Sequence, residues 1–198
     1  MRRIFIGTLV VLAIALINGC ANRKITRVDP NETIDLSGRW NDSDSRLVSE
    51  EMIGDLLTSA WIPRYLKAND TRPVVVVGLV ENKSHEHINS ETFIKDVEKA
   101  IIRDGNIRLV VAGEKRNELR KERAEQQDYA SPETIKKWGK ELGADFILQG
   151  TINSIVDSYK KQKVVTYQID LQLTNIETNE VVWMGDKKIK KQISDRVL

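Results

Sequence analysis

The sequence predicts an α+β fold: one domain with a mixed central sheet of about five strands, a C-terminal antiparallel meander, and helices mainly on one face. Three observations lead there. Pro73-Val-Val-Val-Val-Gly-Leu-Val80 is an unbroken apolar run bounded by a proline, which reads as a strand buried on both faces. Val165, Tyr167, Ile169, Leu171 and Leu173 alternate strictly with Thr166, Gln168, Asp170, Gln172 and Thr174, so that strand has one wet face. Helical stretches separate the early strands, but only short turns separate the late ones, which therefore run antiparallel.

The elements follow in order. A helix from about Asp44 to Ser59 places Leu47, Val48, Met52, Ile53, Leu56, Leu57 and Ala60 on one stripe, with Asp42 or Ser43 as its cap and Pro63 closing it. After the first strand, Glu81–Asn89 is a polar loop. Asn89 or Ser90 then starts a helix whose Phe93, Ile94, Val97, Ala100 and Ile101 share a face, with Gly105 as its C-cap. Ile107–Ala112 is the second strand, and the highly charged stretch Glu114–Gln127 a solvated helix. Ser131-Pro132-Glu133 opens a helix with a capping serine and a proline at its first position, its buried stripe being Ile135, Trp138 and Leu142. Phe146–Ile155 alternates as a half-buried strand, Lys160-Lys161-Gln162 turns the chain into the strongest strand, and Glu177-Thr-Asn179 turns it into the last. That strand runs from Glu180 into the basic stretch Lys187–Lys191, read as a solvated edge that resists strand addition.

The N-terminus has a different logic. Arg2 and Arg3 precede the apolar run Ile4–Ile17, and small residues lead to Cys20, the layout of a secretory signal peptide. Its 14 apolar-run residues are fewer than the ~20 a spanning helix needs. Ile17-Asn18-Gly19-Cys20 resembles a bacterial lipobox, in which the cysteine is lipidated and becomes the first mature residue. The expected organisation is a signal peptide at 1–19, a linker at 20–43 tethered at Cys20, and a domain at 44–198. Fully extended, the linker reaches at most about 80 Å.

Composition excludes several function classes. The two arginines of the signal peptide leave 29 basic residues against 29 acidic ones in the mature chain, a balance that calls for no nucleic acid. Cys20 is the only cysteine, so disulfides and cysteine catalysis are not expected. Phosphate-cradling glycine loops, a Gly-x-Ser-x-Gly elbow and a His-Glu-x-x-His pair are absent from the sequence. His85 and His87 flank Glu86 in the polar loop without evident further ligands. No enzyme activity, cofactor, metal or small-molecule substrate is expected. Trp40 stands in polar sequence beside Arg39, and reads either as a residue packed on the sheet or as an exposed interface anchor.

Several segments carry a family resemblance: the lipobox, Asp35-Leu-Ser-Gly-Arg-Trp-Asn-Asp-Ser-Asp-Ser45, Val77-Gly-Leu-Val-Glu-Asn-Lys-Ser84, Leu142-Gly-Ala-Asp-Phe-Ile-Leu148 and Glu177-Thr-Asn-Glu-Val-Val-Trp183. In these the chain resembles the LpoB family of lipoproteins, activators of penicillin-binding proteins. The resemblance implies a lipid-anchored protein of the cell outer membrane, facing the periplasm. Its partner would be a class A penicillin-binding protein, a bifunctional peptidoglycan synthase, activated allosterically. The short linker, with Pro30 as its one proline, departs from the long proline-rich linker of well-known enteric members, so family contact residues do not transfer. The expected contact surface is instead the loop, with Asn82, Lys83, His85 and His87, together with Arg39 and Trp40. The alternative is a secretion or envelope scaffold resembling the curli-export lipoprotein CsgG, whose core shares this order of elements.

Overall fold

The computed structural model describes residues 25–30, 32–129 and 141–194. Residues from Thr33 onward make up one compact unit and Met1–Glu32 a separate one. In the latter, the Glu32 amide donates to the Asp29 carbonyl at 3.0 Å.

Helix α1 spans Asp42–Thr58. Its cap is Asn41, one residue ahead of the two expected candidates: the Asn41 side chain accepts from the Asp44 amide at 3.1 Å, and the Asp44 carboxylate accepts from the Asn41 amide at 2.9 Å. That reciprocal capping box satisfies two otherwise orphaned donors. Val48, Met52, Ile53 and Leu56 are buried, but Leu47 and Ala60 are exposed. Pro63 does not end the helical region. After Ser59 a second helix, α2, runs Trp61–Ala68 with Pro63 in its first turn, where a missing N–H costs little. Trp61 and Tyr65 stack edge-to-face on Phe146 at 5.2 and 5.5 Å.

Strand β1 (Val74–Asn82) buries all four of its leading valines. Helix α3 (Ser90–Asp104) is capped by Asn89 and ends at Gly105, whose φ of 77° is the left-handed conformation glycine permits. Strand β2 is only Arg108–Val110, shorter than expected, and α4 spans Gly113–Tyr129. The helix expected over 131–142 lies largely outside the described residues; Glu141–Gly143 are not helical and Leu142 is exposed. Strands β3 (Phe146–Tyr159) and β5 (Val181–Ser194) extend past their expected ends at Ile155 and Lys191, and β4 (Gln162–Asn175) begins before its expected start at Val165. The turn between β3 and β4 is Lys160-Lys161 alone, since Tyr159 pairs with Gln162, and Lys160 takes a φ of 54°.

The sheet order is β2-β1-β3-β4-β5: β1 lies parallel to β2 and β3, and β3, β4 and β5 form the antiparallel meander. This is the predicted mixed α+β sheet. Its core face carries Val75, Val77, Leu148, Ile152, Val165, Tyr167, Ile169, Leu171 and Leu173, packed with Val48, Ile53, Leu56, Phe93, Val97 and Ile101 of α1 and α3. The alternating partners on β4 face the other way, where none of the four described helices lies over the meander's side chains.

The basic run of β5 corrects an expectation. Trp183 is buried on the core face, and period two places Lys187 and Lys191 on that same face. The indole of Trp183 donates to the Asp55 carboxylate at 2.9 Å, Lys187 pairs with Glu51, and Lys191 pairs with Asp44 at 2.6 Å. These three contacts lay α1 antiparallel along β5. Only Lys188 and Lys190 belong to a solvated edge.

Candidate functional site

The residues singled out from the sequence meet at the end of the core face where β3, β4 and β5 run beyond α3. Residues 33–41, expected as linker, form a strap across this end. Lys191, with a side chain only 10% exposed, donates to the Asp35 carboxylate at 2.7 Å and to the Arg39 carbonyl at 3.0 Å besides its pair with Asp44. Burial works against the lysine's charge, but the hydrogen bonds to Asp35 and Asp44 outweigh it and its pKa is raised. Conversely, the hydrogen bond from Lys191 holds the Asp35 carboxyl below its ordinary value. Asp35 also accepts from the Asn41 side chain at 2.7 Å. Gly38 bends the strap at φ 68°, and a Cβ there would sit 2.4 Å from Ile193 Cγ1. The segment Asp35–Ser45 is therefore a clasp, held by bonds among its own members, to β5 and to the loop after β1.

Trp40 is half-buried, its ring edge-to-face with Tyr167 of β4 at 5.5 Å. It packs on the sheet and is not an exposed anchor. Its amide donates to the Glu86 carboxylate at 3.2 Å, which joins the strap to the loop after β1. His85 Nδ1 lies 2.6 Å from the Ser154 hydroxyl of β3, and its Nε2 lies 3.3 Å from Glu86. The imidazole also stacks over Tyr167 at 6.4 Å. The Tyr167 hydroxyl is buried without a hydrogen bond of good geometry; burial first, and the Glu86 carboxylate next, push its pKa up.

Asn82 is a loop-former. Its amide donates to the carbonyls of Glu86 at 2.8 Å and Ile88 at 3.4 Å, while its oxygen accepts from the Ser84 amide and hydroxyl at 3.0 and 2.7 Å. This is an Asx-type turn, which shapes the loop from within. Lys83 stays exposed beside Glu81 at 3.1 Å, and Arg39 and His87 are exposed. Thus Arg39, Lys83, His85 and His87 rim one end of the domain, whereas Trp40 and Asn82 are committed to holding it. Among the described residues no three ligating side chains converge on a metal position. Cys20 lies outside the described residues. Sequence reading missed Lys191, Asp44, Glu86, Ser154 and Tyr167 as members of this cluster; the phase of β5 relative to Trp183 was the signal for Lys191.

At this end of the domain the exposed rim residues Arg39, Lys83, His85 and His87 thus stand on a network of hydrogen bonds and ion pairs from β3, β5, α1 and the strap. The model of the family described as peptidoglycan-synthase activator LpoB matches residues 44–189. Among solved structures, the LpoB C-terminal domain from Escherichia coli is 17% identical, with 77% of this chain and 99% of that one covered and a TM-score of 0.46. The corresponding Salmonella enterica domain is 17% identical, with coverages of 74% and 98% and a TM-score of 0.45. No curated protein sequence matches the chain. Among the described residues no helix is long and apolar enough to cross a membrane.

Proposed function

The chain belongs to the LpoB family of peptidoglycan-synthase activators, and from that premise we propose that it is an outer-membrane lipoprotein that activates a class A penicillin-binding protein. In this reading Cys20 carries the lipid, the residues up to the strap form the tether, and the folded domain works in the periplasm as a regulator without chemistry of its own. The family match over 44–189 is the observation that carries the reading. A polar cluster used for holding a strap, with its histidine already bonded to Ser154 and Glu86, supports it further.

Activation follows from differential affinity. A docked activator raises the synthase's activity only if it binds the working state better than the idle one. A coupling of 1–3 kcal/mol, about 5–150-fold in population, is the usual scale. The clasp serves that role by holding a rigid surface at the end of the tether, so little ordering has to accompany docking. In this reading Arg39, Lys83, His85 and His87 make contacts at the rim, and Trp40 and Asn82 fix their positions.

The test is a glycan-polymerisation assay with the class A synthase of the same cell and the detergent-solubilised full chain. Several-fold stimulation that saturates with added chain is expected; no stimulation of any class A synthase of that cell rejects the reading. Lipid-label incorporation that disappears in Cys20→Ala checks the anchor separately.

A further inference from the structure

The open face of the sheet carries a feature that the fold does not need. Pairing register places Glu81 of β1 opposite Thr151 of β3, Thr151 opposite Asp170 of β4, and Asp170 opposite Asp186 of β5. Three carboxylates thus share one row across four strands. Like charges directly opposite each other weaken a sheet, and no ion pair binds Asp170 or Asp186 among the described residues. Asp170 accepts only from the side-chain amides of Gln168 at 2.8 Å and Asn153 at 3.3 Å.

On one side of that row Leu79 and Met184 stand 65% and 66% exposed. With Gln149 and Gln172 they border an open hollow of about 330 Å³. On the other side come Lys188, opposite Gln168, and Lys190, opposite Thr166. Along β5 the face therefore reads apolar, acidic, basic, with the exposed Ile155 of β3 in the row of Lys190. Four strands at ~4.8 Å spacing and about eight residues at ~3.4 Å give on the order of 500 Å², about two thirds of the ~800 Å² per partner of a standard interface. The rim at Lys83 adjoins it directly through Glu81.

We propose that this open face is the principal docking surface for the synthase, an inference that rests on the function proposed above. Charge complementarity states what the partner presents: an apolar side chain that enters the hollow between Leu79 and Met184, then arginine or lysine against Glu81, Asp170 and Asp186. A carboxylate against Lys188 and Lys190 completes the pattern. The order of the three zones fixes the orientation of the complex, because a reversed partner sets like charges against each other.

The experiment is synthase binding to immobilised full chain, with gel filtration of each variant alongside. Asp170→Lys with Asp186→Lys is expected to weaken binding more than tenfold and to flatten its salt dependence. Met184→Glu, at an exposed position that leaves folding intact, is expected to weaken it about tenfold. Wild-type affinity within twofold for both variants overturns the surface while the functional reading stands. Absence of binding by the wild type overturns the functional reading together with the surface. A wild-type dimer that the double lysine variant dissociates assigns the face to a second copy and also overturns the proposal.

Discussion

The two ends of the core face are held by different forces. Under α3 the contacts are apolar: Phe93, Val97 and Ile101 are fully buried in one cluster with Val75, Val77 and Val80 of β1. At the other end, α1 and the strap meet β5 through Lys191, Asp44 and Asp35, with Glu86 and His85 beside them. The apolar end is non-directional and tolerates small shifts. The clasp is directional: Lys191 satisfies three acceptors at once, so it specifies where the strap lies as well as how tightly. A stable scaffold and a positioned rim are thus supplied by separate parts of one sheet.

The largest way to break the comparison is at the apolar end. Phe93→Ala removes a side chain with no exposed surface and is expected to destabilise by about 3–5 kcal/mol. At about 2–4 °C per kcal/mol for a domain of this size, melting falls by roughly 10 °C. Urea unfolding measures it, and a loss below about 1.5 kcal/mol would mean that α3 is not part of the central core. The strap's local order should be untouched at temperatures below the transition.

Lys191→Met reverses that pattern. It leaves Asp44, itself 5% exposed, as a buried carboxylate without its cation, a loss of about 2–3 kcal/mol once the retained hydrogen bond from Asn41 is allowed for. Asp35, half exposed, adds little. Combining the substitution with Asp44→Asn is expected to return part of the stability, because the orphaned charge is gone. Amide exchange supplies the sharper readout: Trp40 and its neighbours should exchange faster while β1 keeps its protection. Uniform loss of protection would show that the two ends do not act separately.

How far these ends were legible in the sequence follows the same division. Period two in β4 and period 3.6 in α3 report burial directly, so the apolar end, its strands and its caps were readable. The clasp was not, since polar residues report their partners only in three dimensions. Lys187 and Lys191 look like any edge lysines until β5 is phased against Trp183. The segment Asp35–Ser43 looked like linker because its order comes from hydrogen bonds rather than an apolar period. Pro63 misled for a related reason: a proline ends one helix or starts another, and Trp61-Ile62 with Tyr65-Leu66 around it was the helical signal to weigh. Of the rim residues, exposure of Arg39, Lys83 and His87 was foreseeable, but the internal bonding of Asn82 and the packing of Trp40 on Tyr167 needed coordinates.

The smallest expected effect separates the ends by pH. Asp35 has its folded pKa lowered from 3.8, chiefly by the hydrogen bond from Lys191, so its contribution is present above pH 3.8 and fades as acid protonates it below that. Lys191 has its pKa raised above 10.5, so its contribution is present below that value and is lost as pH climbs through the raised one. The strap should therefore loosen at both extremes. An internal reference lies elsewhere in the chain: Glu141, forked by Arg120 at 2.8 and 2.9 Å and reached by Arg123, is drawn from 4.5 down to about 2. Its ion pairs hold above pH 4.5 and dissolve as pH falls toward 2. Residue-resolved NMR titration reads all three, and the buried apolar signals around Phe93 and Ile101 should stay fixed while the strap resonances move. Strap resonances that stay unchanged from pH 5 to pH 2 would show that Asp35 does not hold the strap and that Asp44 and Trp40 suffice.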